Sequence, residues 1–170
     1  MTITDELINT KYESGINQLI NEQFRVCPAT LLDDIDRGEP VRIKNLEIDP
    51  NWSSSWTKIK QSRLIESSIV NIPVPPIILY EKVYHQLYEV IDGKERLETI
   101  KKFFTNHLKL TKLQVYPELN GKSYFDLPHR IYDRLSRKRI EFIAFSPLNN
   151  DIGQDELEKL VKAAKDRLVR

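Results

Sequence analysis

Cysteine and long apolar runs are both scarce in this chain of 170 residues. Cys27 is the only cysteine, which excludes an intramolecular disulfide and a cysteine-based metal centre. No stretch approaches the ~20 apolar residues of a membrane-spanning helix, and the first residues lack the basic and apolar regions of a signal peptide. We therefore expect a cytoplasmic protein with no membrane partner, in which Cys27 is a small buried residue.

An excess of charge of one sign is missing as well. The 26 Lys and Arg residues nearly balance the 25 Asp and Glu residues, so the formal net charge is +1. Such a total gives no general attraction to nucleic acid or membranes, and any electrostatic site must come from local clustering. Glycines number only five, and no segment is rich in Gly, Ser or repeats, which indicates one folded domain without a flexible linker.

The apolar spacing predicts helices and strands along most of the chain. The last helix is amphipathic and must cover either a sheet or a partner. The two strands beginning at Ile77 and Leu87 are expected to pair as a hairpin or as neighbours. Asn120-Gly121 is a predicted turn, and Asp126 is a predicted helix cap. The predicted helices cover residues 8–20, 30–35, 58–70, 94–104, 126–136 and 155–168, and the predicted strands cover residues 41–48, 77–80, 87–91, 113–116 and 140–145.

Gly93 lies where a predicted strand stops and a predicted helix begins at once. Glycine permits backbone torsions that other residues avoid, and the first amides of a helix lack internal acceptors at the positive end of its dipole. A phosphate at this position gains several hydrogen bonds together. Lys94 and Arg96 add positive charge beside these donors, and Asp92 and Glu95 are candidates for a magnesium site or a catalytic carboxylate.

The same residues also fit a purely structural interpretation. Asp92-Gly93 is common turn chemistry between a strand and a helix, and Lys94 to Arg96 form an ordinary solvated first turn. The local pattern alone therefore leaves both interpretations open.

Several longer motifs resemble the amino-terminal domain of GmrSD-type restriction proteins. They are QSRLIESSI at residues 61–69, IPVPPIIL at 72–79, YEVIDGKERL at 88–97, PELNGK at 117–122 and FDLP at 125–128. The family hallmark is Asp-Gly-Gln-Gln-Arg, and its members resemble in turn the ParB and sulfiredoxin fold, where a Gly-x-x-Arg turn binds nucleotide phosphates. The resemblance covers roughly residues 30 to 145.

The resemblance implies an α+β fold, with a small mixed sheet flanked by helices, that binds a nucleoside triphosphate, with Mg²⁺ as a further candidate cofactor. It divides the chain into a helical extension (1–29), a nucleotide-binding domain (30–146) and a C-terminal amphipathic helix (147–170). The resemblance also implies a nucleoside triphosphatase, since such domains are often NTP hydrolases that drive or regulate a nuclease that restricts modified phage DNA. The implied phosphate-binding residues are Asp92, Gly93, Lys94 and Arg96, with Arg63, Glu66 and Ser67 as additional candidates.

This chain departs from the family pattern in two places. Lys94 and Glu95 replace the two central glutamines of the hallmark, and the usual Gln-Arg pair is absent from the PNWSSSW stretch at residues 50–56. Both changes favour nucleotide binding over hydrolysis. Sulfiredoxin chemistry is not expected, because no cysteine lies in the turn.

No His-Asn-His nuclease pattern is present, since His85, His107 and His129 are isolated. A nuclease partner or a further domain is therefore expected. Two alternatives remain: a non-enzymatic module whose C-terminal helix docks onto a partner or a second copy, and a DNA-binding module. Trp52 and Trp56 are candidates for base stacking or for core packing. The basic residues are Lys58, Lys60, Arg63, Lys94, Arg96, Lys101 and Lys102 around the turn, and Arg130, Arg134, Arg137, Lys138 and Arg139 in a second run.

Overall fold

The computed structural model describes residues 5–13, 19–28, 46–47, 53–82, 87–148 and 154–168. Helices and strands alternate irregularly along these residues, which confirms the predicted α+β class. In chain order the elements are α1 (Asp5–Glu13), β1 (Leu19–Val26), β2 (Leu46–Glu47), α2 (Lys58–Ile69), β3 (Ile77–Lys82), β4 (Leu87–Asp92), α3 (Lys94–Phe104), the 3-10 turns η1 (Pro117–Leu119) and η2 (Tyr124–Asp126), α4 (His129–Ser136), β5 (Ile140–Pro147) and α5 (Gln154–Leu168).

The five described strands form one mixed sheet in the order β1-β5-β3-β4-β2. β5 pairs antiparallel with β1 and parallel with β3. β4 pairs antiparallel with β3 and parallel with β2. The predicted pairing of β3 with β4 is therefore confirmed, and it places the end of β4 beside the start of β3. Residues 83–86 between these strands lie outside the described part of the chain.

The two faces of the sheet bury different sets of side chains, because successive residues of a strand point to opposite sides. On one face Leu97 of α3 packs onto the strands. On the other face Val161 and Ala164 of α5 pack against Tyr80, Ile91 and Phe145. The predicted C-terminal amphipathic helix thus covers the sheet of its own chain. The first face consists of Phe24, Val26, Ile77, Leu79, Tyr88, Val90, Phe142 and Ala144.

A second core, here called the helical cluster, lies among α2, α3, α4 and the connection between the last two. Phe103 of α3 is fully buried in it and makes an edge-to-face contact with Tyr124, their ring centroids being 5.7 Å apart. This cluster holds α2 and α3 side by side and so fixes the relative position of their first turns. Its buried members are Ile65, Ile69, Phe103, Leu108, Leu110, Leu113, Leu119, Tyr124, Leu127 and Leu135.

The first predicted helix is confirmed over residues 8–13 and wrong at residues 19–20, while residues 14–18 lie outside the described part of the chain. α1 ends at Glu13, and Leu19 begins β1, which pairs with β5 from Leu19 opposite Pro147 to Val26 opposite Ile140. Long-range pairing with β5 overrides the helical apolar spacing there. β1 lies inside the segment predicted as a helical extension, while the division of the chain into three segments stays a prediction.

The strand predicted over residues 113–116 is also wrong, because this stretch is irregular and its amides bind a side chain instead of a strand. Asp126 caps η2 with Ser123 rather than α4, whose N-cap is Pro128. The remaining predicted elements from residue 58 onward are confirmed, including the turn at Asn120-Gly121. The helix predicted over 30–35 lies outside the described residues, and only Leu46–Glu47 of the strand predicted over 41–48 is described, as β2.

None of the described helices is long and apolar enough to cross a membrane.

Phe103→Ala is expected to lower the free energy of unfolding by about 3 to 5 kcal/mol, since it removes a fully buried ring and leaves a cavity. Urea denaturation followed by far-ultraviolet circular dichroism measures this loss. Phe125→Ala is the matched control, because that ring is 65% exposed and its removal is expected to cost less than about 1 kcal/mol. Equal losses in the two variants would contradict the placement of Phe103 in the helical cluster.

Candidate functional site

The turn between β4 and α3 is formed by Gly93, whose φ of +100° lies in the left-handed region. A Cβ atom at this position would lie 3.0 Å from Cγ1 and 3.3 Å from Cα of Ile77 in β3. Both the torsion and the close approach therefore require glycine. The absence of a side chain brings the start of α3 directly against β3.

The first turn of α3 is not capped by a side chain of the described residues. Its first intrahelical hydrogen bond runs from the Leu97 amide to the Gly93 carbonyl, at 2.9 Å. The amides of Lys94, Glu95 and Arg96 precede that bond and are the donors that the sequence predicted for a phosphate. Within the described part of the chain, Lys94 has no carboxylate at ion-pair distance.

Arg96 lies across the turn rather than pointing into solvent. Its Nη2 donates to Oδ2 of Asp92 at 2.8 Å and to the carbonyl of Pro76 at 3.0 Å, and the side chain is 14% exposed. Its Nε is buried without a hydrogen-bond partner among the described atoms. Asp92 and Arg96 therefore connect the end of β4, the first turn of α3 and the residue before β3. The predicted contact of Arg96 with phosphate stays a prediction.

Glu95 connects the first turn of α3 to the three residues Ser54, Ser55 and Trp56, here called the Ser54–Trp56 segment. Both hydroxyls and the Ser55 amide donate to its carboxylate, with both distances to Ser55 at 2.7 Å. Burial alone raises the pKa of Glu95, but the hydrogen bonds from the two hydroxyls and from the Ser55 and Trp56 backbone outweigh it, so the pKa lies below its ordinary value.

The Ser54–Trp56 segment leads directly into α2, whose N-cap is Thr57. The Thr57 hydroxyl accepts from the Lys60 amide at 3.3 Å, and the Lys60 ammonium lies 4.4 Å from the centroid of the Trp56 ring. The starts of α2 and α3 therefore face each other across a single side chain, that of Glu95. Sequence reasoning missed Ser54 and Ser55, whose only signal is a run of three serines before a helix cap. Trp52 lies outside the described residues.

Glu66, a candidate from the first family motif, is 5% exposed and contacts a different part of the chain. Its carboxylate accepts from the amides of Gln114, Val115 and Tyr116 at 3.1, 2.7 and 3.0 Å. Burial alone raises the pKa of Glu66, yet these amides, with Arg63 nearby, bring it below its ordinary value. Glu66 therefore holds residues 114–116 against α2, which explains why they form no strand.

The other predicted site residues are dispersed. Arg63 is exposed, and Ser67 donates to its carbonyl within α2. Lys102 pairs with Glu98 on α3 at 3.4 Å. The described residues include no group of three or more His, Cys, Asp or Glu that could hold a metal ion. In the second basic run Arg137 pairs with Asp133, Lys138 donates to Asn71, and Arg130, Arg134 and Arg139 are exposed.

A model of the GmrSD restriction endonuclease N-terminal domain matches residues 53–169, which is more than half of the chain. The chain belongs to this family. The comparison with curated proteins and the comparison with solved structures gave no match. The region shared with other GmrSD N-terminal domains begins at the Ser54–Trp56 segment, includes the Gly93 turn and extends through α5. The chain is therefore related to restriction systems of phage defence, while the likeness to ParB and sulfiredoxin stays a prediction.

Glu66→Gln is expected to lower the free energy of unfolding at neutral pH by about 2 to 3 kcal/mol, because a neutral amide replaces the charged acceptor of three backbone amides. The folded-state pKa of Glu66 lies below its ordinary value of 4.5. Its contribution is therefore complete above that value and is lost as the pH falls through the lower folded-state pKa.

Urea denaturation of the wild type and Glu66→Gln across this range tests the effect. The difference between the two proteins is expected to shrink as the pH falls below 4.5. Glu118→Gln, at an exposed position of η1, is the control for the general loss of a carboxylate. A difference that stays constant with pH would contradict the role assigned to Glu66.

Proposed function

We propose that this chain is a nucleotide-binding domain of a modified-DNA restriction system, and that the Gly93 turn binds the phosphates of a nucleoside triphosphate. One observation carries the proposal. The uncapped first turn of α3 lies beside the Ser54–Trp56 segment, whose two hydroxyls and Ser55 amide donate to Glu95 of that turn. Membership of the GmrSD family supports the connection to restriction.

Phosphate is the ligand whose chemistry suits this position. The amides of Lys94, Glu95 and Arg96 carry the positive end of the α3 dipole, and an anion gains several hydrogen bonds from them at once. The Lys94 ammonium adds a mobile charge without a carboxylate partner among the described residues. Arg96 stabilises the turn through its hydrogen bonds to Asp92 and to the Pro76 carbonyl.

The two carboxylates of the turn favour binding over hydrolysis. Asp92 is paired with Arg96, and Glu95 is held by Ser54 and Ser55. Because donors of the protein already engage both carboxylates, we propose binding rather than hydrolysis as the activity of the site. We propose that Mg²⁺ enters the site bound to the phosphates of the nucleotide. Because the site binds the nucleotide without hydrolysing it, its role in this proposal is regulatory.

DNA cleavage belongs in this proposal to a partner protein or another domain, whose activity the nucleotide state of this domain regulates. The alternative of a module that docks through its C-terminal helix is less favoured. Val161 and Ala164 of α5 already pack onto the sheet of the same chain, which leaves less apolar surface for a partner.

Lys94→Ala is expected to weaken binding of ATP about tenfold, which corresponds to ~1.4 kcal/mol, because it removes a cation beside the phosphates. Isothermal titration calorimetry with ATP, GTP and their diphosphates, with and without Mg²⁺, measures the affinity. Lys101→Ala is the matched control, since Lys101 is exposed near the other end of α3 and is expected to change the affinity by less than about threefold.

A folded wild-type protein that binds none of these nucleotides at millimolar concentration, with or without Mg²⁺, would overturn the proposed function. Equal weakening by Lys94→Ala and Lys101→Ala would place the phosphates elsewhere on the protein.

A further inference from the structure

The Ser54–Trp56 segment already binds an anion, namely the carboxylate of Glu95. Both oxygens of this carboxylate are engaged: Ser54 Oγ donates to Oε2, and the amide and hydroxyl of Ser55 donate to Oε1. The Trp56 backbone also contributes a hydrogen bond that lowers the pKa of Glu95. Two hydroxyls and a backbone amide that converge on one negatively charged group are the kind of donor set that also binds a phosphate oxygen.

The segment is accessible to an external ligand. Ser55 is exposed and Ser54 is half-buried, while the contact between the segment and α3 runs through the Glu95 side chain. The contact joins residues 40 positions apart along the chain and is made by one carboxylate side chain. Swinging this one side chain into solvent frees the donors without moving a helix.

We infer that the Ser54–Trp56 segment is a phosphate subsite and that Glu95 is an internal ligand that competes with phosphate for it. This inference rests on the proposed function, because the incoming ligand is the polyphosphate of the nucleotide bound at the Gly93 turn. When the phosphate enters, the Glu95 carboxylate leaves the serines and the phosphate oxygens accept their hydrogen bonds. The domain therefore binds nucleotide more weakly than its donors allow.

Two physical effects make Glu95 an effective competitor. Because Glu95 is part of the same chain, its carboxylate has a high effective concentration at the segment, and this competition lowers the affinity of a free ligand. Its charge also repels a phosphate bound at the neighbouring amides of α3. A glutamine at this position has no charge and is a weaker acceptor, so that it loses both effects while keeping nearly the same shape.

Glu95→Gln is therefore expected to tighten the binding of ATP at least tenfold in calorimetry at fixed ionic strength. Glu98→Gln is the matched control: it removes the same charge from the same helix, but Glu98 contacts Lys102 and not the segment. Its effect is expected to stay below about threefold. Tripolyphosphate serves as a second probe, because a gain shared with ATP comes from the phosphates and not from the base.

Ser55→Ala provides the second arm of the experiment. In the Glu95→Gln background it is expected to remove most of the gained affinity, because the freed hydroxyl is then a ligand of the phosphate. In the wild-type background it removes a hydrogen bond to Glu95 from the free protein and a hydrogen bond to phosphate from the complex, so the two losses partly cancel and the loss of affinity is expected to be smaller than in the Glu95→Gln background. A larger effect of Ser55→Ala in the Glu95→Gln background shows that residues 55 and 95 are coupled in ATP binding, which a change in stability alone would not produce.

The outcomes separate the two proposals. Wild-type protein that binds ATP while Glu95→Gln and Glu98→Gln behave alike overturns the inference and leaves the proposed function standing. Absence of binding in all folded variants overturns the proposed function together with the inference. Should Glu95→Gln fail to fold, Glu95→Asp takes its place: it keeps the charge but withdraws the carboxylate from Ser54 and Ser55, and unchanged affinity in that variant overturns the inference.

Discussion

The close approach of Gly93 to Ile77 determines where α3 begins and what its first turn can reach. A Cβ atom on residue 93 would lie 3.0 Å from the Ile77 side chain, and the φ of +100° disfavours any L side chain there. Because glycine occupies this position, α3 starts against β3 and Leu97 enters the core of the sheet with 2% exposure. The same approach puts Arg96 within reach of the Pro76 carbonyl.

Three carboxylates then join elements that the sheet alone does not connect. Asp92 pairs with Arg96, Glu95 accepts from Ser54 and Ser55, and Glu66 accepts from the amides of residues 114–116. A carboxylate that is partly removed from water needs hydrogen-bond donors around it. The donors are a guanidinium for Asp92, two hydroxyls and an amide for Glu95, and three backbone amides for Glu66. These acidic residues therefore have a structural role in this chain, since each connects two parts of it.

The elements that the sequence predicted well are those whose pattern is local. α2, α3 and β3 have regular apolar spacing, and Gly93 combines a strand end with a helix start in adjacent residues. β1 was missed because its conformation depends on β5, whose Pro147 lies opposite Leu19. The same physical reason explains the failure over residues 113–116, where Glu66, 49 residues away from Val115, supplies the acceptor.

The candidate site also has features that depend on local sequence and features that depend on distant residues. Its glycine turn, its helix start and its basic residue Lys94 follow from ten consecutive residues, and the sequence predicted each of them. Ser54 and Ser55 were missed, because their contact with Glu95 joins residues 41 and 40 positions apart. No periodicity or motif within either stretch indicates that contact.

Lys94 and Glu95 place one positive and one negative side chain next to each other in the turn, so their charges cancel in its net charge. The two charges nevertheless lie in different surroundings. The lysine brings a cation to the first turn of α3, whereas the glutamate directs its negative charge toward the serines. A glutamine can both donate and accept, but a carboxylate only accepts, and it does so more strongly. The Glu95 carboxylate therefore connects α2 to α3 more strongly than a neutral amide would, at the place where a phosphate would need the same donors.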